Sequence, residues 1–475
     1  MDGEVFKYAL VACYVIAIYG LSWVGMRRTH SVESFSIGNK DMHPVLIGIT
    51  LAASISSTAT FVINPGFVYV HGLSAFLHYG VAGSLGIAAA FLVLTRGFLR
   101  VGETHQALTI PGWIFHRYQH RGLSLFFACL NLLSITFVVL ILVGCSLLVT
   151  GLFPVDQKTA LVGVLLFVFS YVLMGGTYAH AYTNTIQGLM MIGVTGLIVV
   201  GGWHHFDGDV MGSLRSVGVD YASAFNPSSS LYFDLFSVFI SGFIVTFALM
   251  MQPHILTKVL YLRSERDIGL FIGTTVGVGA IFMLMLLIGF YARLSGLEVE
   301  SQDAVVREYL LSEFSGSVWG DITTTFVFIT LLAAGMSTLD GILVSLSAMV
   351  VNDIAKPFMT SPTDGLALSR WVLVAEGILG LALAWNPPPI IGIFAQKGVY
   401  GLAAASVVPV VFGVLLKRPI PLWVVFSSAV VGLCLHLGLN LFAGVANPAI
   451  SAAWGIIGAF AVGLAGLWVT RPVSP

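Results

Sequence analysis

Residues Ala52–Thr60 read AASISSTAT and interrupt a segment that is otherwise apolar from Pro44 to about Tyr69, setting five hydroxyls in the middle of a would-be membrane helix. No water reaches the bilayer core to satisfy freed backbone and hydroxyl oxygens, so at that depth they line a cavity or hold an ion. A second segment, LLAAGMSTLDG at Leu331–Gly341, carries the same signature of small residues with adjacent hydroxyls. Serine and threonine in membrane helices often bond back to their own helix. Two such patches in one chain point instead to a site for a small cation.

Composition sets the class. A chain of 475 residues that is 57% hydrophobic and 9% charged has too little polar surface for a soluble protein, and reads as an all-α polytopic membrane protein. The net charge of -1 carries no information about nucleic acid, and no nucleic-acid partner is expected. Cys13, Cys129, Cys145 and Cys434 lie in apolar runs without metal-ligand spacing and read as reduced packing residues.

With about 20 apolar residues needed per crossing, the chain holds about thirteen spans, near 5–26, 44–70, 72–96, 122–151, 158–175, 177–203, 231–257, 269–295, 320–350, 366–386, 390–416, 421–443 and 449–470. Arg27 and Arg28 follow the first span and set the amino terminus outside. An odd count then leaves the carboxyl terminus in the cytoplasm. Of the 21 Lys and Arg, all but Lys7, Lys158, Arg215, Arg293, Arg307 and Lys397 fall in cytoplasmic loops, as the positive-inside rule requires. The expected location is thus the cell (inner or plasma) membrane. No stretch between spans is long enough for an independent core, so residues 1–475 form one transmembrane domain. LTIPGWIFHRY, at Leu108–Tyr118, reads as an amphipathic cytoplasmic helix on the membrane surface.

In order along the chain stand FSIGNKDMHP, NPGFVYVHG, LTIPGWIFHRY, GGTYAHAYTNTIQGLMM, QPHILTKVLYLRSERD and AAGMSTLDGILVSLSAMVVNDI. Together with the span pattern they resemble the sodium:solute symporters, the family of the sodium–glucose, proline, pantothenate and monocarboxylate transporters. The resemblance implies a LeuT-type core of five plus five helices in inverted repeat, about 44–203 and 231–416, with peripheral helices near 5–26, 421–443 and 449–470. It also implies that the first helix of each repeat is discontinuous, and a sodium site from the carbonyls of Ala53, Ser56 and Ala334 with the hydroxyls of Ser337 and Thr338. Five neutral oxygens suit a hard monovalent cation and omit the carboxylates that calcium takes.

Two departures from the family stand out. Asn184 occupies a position on the ion path where the family commonly has an acid, and an amide carries no charge. Ile55 stands where the proline branch tends to have an acid. The solute pocket is expected from Ser54, Ser57, Thr58, Thr60, His78, Thr246 and Gln252, with His254 nearby and with Val245 and Leu249 replacing the proline branch's aromatic residues. Lys397, beside Gln396 and Tyr400, is the expected counter-ion for a substrate carboxylate, against the alternative of snorkelling to the headgroups. Glu376 is expected to face a polar crevice, and His180 and His436 are read as packing histidines.

The expected function is sodium-coupled import of a small organic solute, carboxylate-bearing, by alternating access. The alternatives are a neutral solute such as a sugar, or a transporter-like membrane sensor partnering a separate kinase. The chain has no Walker motif, no paired catalytic carboxylates and no metal-ligand cluster in sequence, so no enzymatic role is expected. No cofactor is expected beyond sodium as the coupling ion; the partners are the solute, sodium and the lipid bilayer.

Overall fold

The computed structural model describes residues 3–27, 42–105, 107–314, 316–359 and 365–470, and all regular structure among them is helical. Residues 35–41 of the FSIGNKDMHP motif, with Arg28, Lys40 and Arg471, lie outside the described residues. Eleven helices are long and apolar enough to cross a membrane. Two bent pairs, Pro44–Ile55 with Ala59–His71 and Phe236–Leu249 with Pro253–Tyr261, complete the thirteen expected spans.

The breaks have local causes. In the first pair Ser56 leaves the helical region at ψ 74°, and the Ser57 hydroxyl restarts the helix by accepting from the Ala59 N–H at 3.1 Å. Pro65 lacks an N–H, and the turn Ala59–Ile63 just before it widens to a π-helix, with the Asn64 N–H reaching back to the Ala59 carbonyl. The two halves meet at 53°. In the second pair Gln252 is extended, as the residue before a proline tends to be, and Pro253 opens the second half at 67° to the first one.

The helical stretch Gln157–Gly202 runs for 46 residues. At 1.5 Å per residue that is about 69 Å if straight, more than twice the hydrocarbon thickness. Its contacts resolve the excess. The Tyr19 hydroxyl meets Ser170 Oγ at 2.5 Å, while the Tyr14 hydroxyl accepts from Gln187 at 2.9 Å. Residues five apart on the first helix therefore touch residues 17 apart on this stretch, which a straight helix does not permit. The chain doubles back, and Gln157–Met174 and Tyr178–Phe206 are separate spans.

Burial grades the bundle. The ninth span, Val318–Ala355, and the eleventh, Ile391–Leu415, have 94% and 83% of their most apolar windows buried, against 17% for the first span and 28% for the tenth. The centre therefore belongs to the helix carrying Ser337 and Thr338.

Two expectations need correction. The helix Ile110–Tyr118 packs its apolar side on protein. Trp113 and Ile114 are fully buried, the Trp113 indole stacks on Phe98 at 4.9 Å, and Arg117 donates to the Gly413 carbonyl at 2.8 Å. The seventh span begins at Phe236, not 231, because Asp234 accepts from the Ser237 N–H at 2.7 Å and Ser237 Oγ in turn accepts from the N–H groups of Phe233 and Asp234. Of the cysteines only Cys145 is buried; Cys13, Cys129 and Cys434 are free and exposed on their helices.

Candidate ion and solute site

Where the first broken helix crosses the ninth span, backbone and hydroxyl oxygens of the two elements meet. Ser337 Oγ donates to the Ala53 carbonyl at 3.1 Å and to the Ala334 carbonyl of its own helix at 2.8 Å. One residue on, Thr338 Oγ1 donates to the Ser54 carbonyl at 2.9 Å. Ala53, Ser56, Ala334, Ser337 and Thr338 are all buried, and the Ser56 hydroxyl has no hydrogen-bond partner among the described residues. Positions 334, 337 and 338 share one face of the helix, as the 3.6-residue period requires. Of the expected ion ligands, Ser337 thus meets Ala53 across the two elements and Ala334 within its own helix, while Thr338 meets the neighbouring Ser54 carbonyl.

Asn184 joins the same cluster from the sixth span. Its Nδ2 donates to Ser54 Oγ at 3.1 Å and to the Ser337 carbonyl at 3.2 Å, and lies 3.4 Å from His180 Nε2; its Oδ1 is buried without a partner among the described residues. His180 is more than a packing histidine. Its Nδ1 lies 2.7 Å from Asp340 Oδ1, and Tyr171 donates to Asp340 Oδ2 at 3.2 Å. Asp340, one turn beyond Ser337, is thus a fully buried carboxylate held by two partners.

Lys258 corrects a second assignment. Counted as a cytoplasmic loop cation, it lies in the second half of the second broken helix and is 1% exposed. Its ammonium donates to the Thr50 carbonyl at 2.9 Å and to the Ser54 hydroxyl. An apolar stretch on either side of Lys258 was the available signal, obscured by the charged run that follows from Arg263.

Beside this cluster opens a cavity lined by Ser54, Ser57, Thr60, His78, Thr246, Gln252, Gln396 and Tyr400, eight of the ten expected solute residues, and by Val245, Leu249 and His254. His78 Nδ1 faces the carbonyls of Ser237 and Val238, both at 3.0 Å, so it carries the proton and a neutral ring keeps Nε2 as an acceptor. Tyr79, absent from the expected set, also lines the cavity; its hydroxyl accepts from Gln396 at 3.2 Å and from Tyr232 at 2.8 Å.

The remaining two expected residues are off this cavity. Thr58 turns toward the core, 3.8 Å from Cys145 Sγ, where a Cβ on Gly335 would come within 2.4 Å of its hydroxyl. Lys397 is not among the lining residues, while its neighbours Gln396 and Tyr400 are. Successive helical residues turn by about 100°, so one residue separates a lining position from a packing one. The Lys397 carbonyl accepts from His436 Nε2 at 2.9 Å, and His436 Nδ1 meets Ser451 at 3.0 Å, which makes that histidine a satisfied packing residue. Glu376 is buried with both carboxylate oxygens unpartnered among the described residues.

This architecture recurs in known transporters. Over 99% of both chains it is similar, at TM-score 0.77 and 18% identity, to a Na+-coupled sialic acid symporter solved in a substrate-bound outward-open state. The nucleobase-cation-symport-1 family transporter MHP1 is similar at TM-score 0.57 and 13% identity, over 93% of this chain and 96% of that one. These likenesses show a LeuT-type fold. In sequence, the chain is 26% identical over 427 residues to the high-affinity proline transporter PutP of Bacillus subtilis (strain 168), covering 87% of each protein. It is 25% identical over 455 residues to the sodium/pantothenate symporter of Haemophilus influenzae, covering 90% of each. The model of the sodium:solute symporter family matches residues 35–420, and the chain belongs to that family.

Proposed function

We propose that the protein is a sodium-coupled secondary symporter of the cell membrane that imports a small carboxylate-bearing solute by alternating access. Its amino terminus is outside and its carboxyl terminus cytoplasmic, following the lysine and arginine bias. The observation that carries the reading is the interleaving of two roles along one break. The Ala53 and Ser54 carbonyls accept from Ser337 and Thr338 of the ninth span, while the Ser54 and Ser57 side chains line the solute cavity.

Coupling follows from that interleaving. Sodium takes the carbonyls of Ala53, Ser56 and Ala334 with the Ser337 and Thr338 hydroxyls, and the hydrogen bonds now joining those oxygens give way as both hydroxyls turn their lone pairs to the ion. An ion held from both sides fixes the break against the ninth span, which preorganises Ser54 and Ser57 for the solute. Linkage makes the effect reciprocal: bound solute tightens sodium by the same factor.

The carboxylate reading rests on chemistry and on relatives. The second half of the broken helix begins at Ala59 and offers the positive end of its dipole to an anion. The relatives named for proline and pantothenate take solutes that each carry a carboxylate. With Lys397 off the cavity, the solute's charge is met by that helix end, by the Gln396 amide and by the adjacent sodium.

The test is uptake of radiolabelled proline, pantothenate and a neutral sugar into proteoliposomes with and without an inward sodium gradient. Sodium-driven accumulation of a carboxylate solute is expected. Uptake driven fully by a proton gradient alone would remove the sodium assignment, and sodium-driven uptake of the sugar alone would remove the carboxylate.

A further inference from the structure

Far from the ion site, at the end of the sixth span, the chain tightens into a 3-10 turn, Trp203–Phe206, that sets two histidines side by side with ring centroids 4.1 Å apart. Facing them is Glu313, in the last turn of the helix Val305–Phe314. His204 Nε2 lies 3.6 Å from Glu313 Oε1, and His205 Nε2 lies 3.3 Å from Oε2. One ligand atom from each of the three residues lies within 4.8 Å of the others.

We propose that His204, His205 and Glu313 form a binding site for a divalent transition-metal ion, zinc by its donor chemistry, on the face of the protein where the sixth span ends. The His204 Nδ1 meets the Gly201 carbonyl at 2.7 Å. A carbonyl only accepts, so Nδ1 carries a proton there and Nε2 is the ring atom left to face Glu313 as a ligand. A backbone partner on the far nitrogen is the arrangement that orients imidazoles for metal binding.

The spacing fits. Tetrahedral ligands about 2.05 Å from zinc stand about 3.3 Å apart. Each imidazole is already near that value from one of the two carboxylate oxygens, and with one ligand atom per residue the gaps, all within 4.8 Å, have little to close. His204, with a side chain 61% exposed, can shift at less cost than His205 and Glu313, at 12% and 20%. Two imidazoles and one carboxylate form a common zinc set with a fourth position left for water, and they offer too few oxygens for calcium or magnesium.

The metal adds a bond between two elements that otherwise meet here through the rings of His205 and Tyr309, 5.9 Å apart. The helix Val305–Phe314 packs against the second half of the first broken helix, Asn64–His71, where Gly66 admits the Gln302 carbonyl at a distance no side chain would tolerate. It also reaches the fourth span through Arg307 Nη1, which donates to Thr150 at 3.2 Å, and it leads into the ninth span. Pinning it to the sixth span fixes one arrangement of this face, so bound metal inhibits turnover. This last step rests on the transport reading; the binding site does not.

The experiment uses the full chain, purified without a histidine tag and treated with chelator, and titrated with zinc by calorimetry and with cobalt(II) by visible d–d absorption. Stoichiometric zinc binding and an intense tetrahedral cobalt spectrum are expected. His204→Asn, at an exposed position that folding tolerates, and Glu313→Gln should each weaken zinc affinity by at least about tenfold, since each removes one of three ligands. No stoichiometric zinc binding by the wild type, or equal affinity in both variants, overturns the site. In proteoliposomes, chelator-reversible inhibition by zinc that the variants lack supports the pinning. Tight binding with unchanged uptake overturns it, and a failure of sodium to drive uptake leaves the binding result intact.

Discussion

The Lys258 ammonium donates to the Thr50 carbonyl at 2.9 Å, tying the two broken helices together across 208 residues of sequence. Its other bond, to the Ser54 hydroxyl, brings the positive charge one residue from the Ala53 carbonyl. Both partners are neutral oxygens. Unit charges 5–7 Å apart repel by roughly 2–3 kcal/mol at an effective dielectric near 20. The Lys258→Met variant, similar in length and uncharged, is therefore expected to bind sodium at least about tenfold more tightly, read from sodium-dependent thermal stabilisation. A folded variant with the wild-type sodium curve would show that the lysine only latches the helices.

Removing the ligand hydroxyls acts in the opposite direction. Ser337→Ala and Thr338→Ala each delete an oxygen from a dehydrated cation and strand a carbonyl, of Ala53 or of Ser54, that now has a donor. At about 1–3 kcal/mol per lost buried partner, sodium affinity should fall by about tenfold in each. The double variant retaining the wild-type sodium response would put the ion elsewhere.

The two patches that form this site were legible because each breaks a local rule: hydroxyls and small residues where an apolar helix should continue. Span number was legible for the same reason, since the length of an apolar run is a local property. What escaped the sequence depends on tertiary contact. Asp340 stands inside the quoted AAGMSTLDG run, yet only the approach of the sixth span gives its carboxylate the His180 partner. Lys258 looked like a loop cation because the break at Gln252 redirects the helix that carries it. Lys397 and Thr58 failed on helical phase, which a one-residue ambiguity in span boundaries leaves open.

Lys397 yields a prediction of invariance. Lying off the cavity that Gln396 and Tyr400 line, it should tolerate Lys397→Gln with apparent solute affinity within about twofold of wild type. Gln396→Ala, which frees the Tyr79 hydroxyl inside the cavity, should weaken it more. The reverse ranking in solute competition assays would return the counter-ion role to Lys397.

Asp303 gives the pH dependence. Burial raises its carboxyl above the ordinary 3.8, against the lowering effect of the Ile391 N–H, which donates to Oδ2 at 3.1 Å at the start of the eleventh span. An acid with a higher pKa folded than unfolded makes the native form hold the extra proton. Its contribution to stability is present below 3.8 and is lost as pH rises through the raised native value. Thermal stability of the wild type should therefore decline over that window relative to Asp303→Asn, which keeps an acceptor for Ile391 without a titrating charge. Parallel stability curves for the two proteins would assign the pH response to other groups.

Asn184→Asp tests how this chain manages its ion path without an acid in the sixth span. The amide now donates to Ser54 Oγ and to the Ser337 carbonyl; a carboxylate can only accept, from the Ser54 hydroxyl, so the bond to the Ser337 carbonyl is lost and that carbonyl faces a negative charge. Two effects then compete. The new charge attracts sodium, and it also attracts the Lys258 ammonium, which already meets the same Ser54 hydroxyl. In the wild-type background the ammonium neutralises much of the added charge, so sodium affinity should rise only a few-fold, at a cost in thermal stability of about 1–3 kcal/mol for the lost bond. Combined with Lys258→Met, the same substitution leaves the carboxylate without a cation until sodium arrives. The sodium dependence of stability should then be steeper in the double variant than either single change predicts, a coupling that a double-mutant cycle isolates. Additive effects would show that Lys258 and position 184 act on the ion independently, and that the Ser54 hydroxyl they share does not link them.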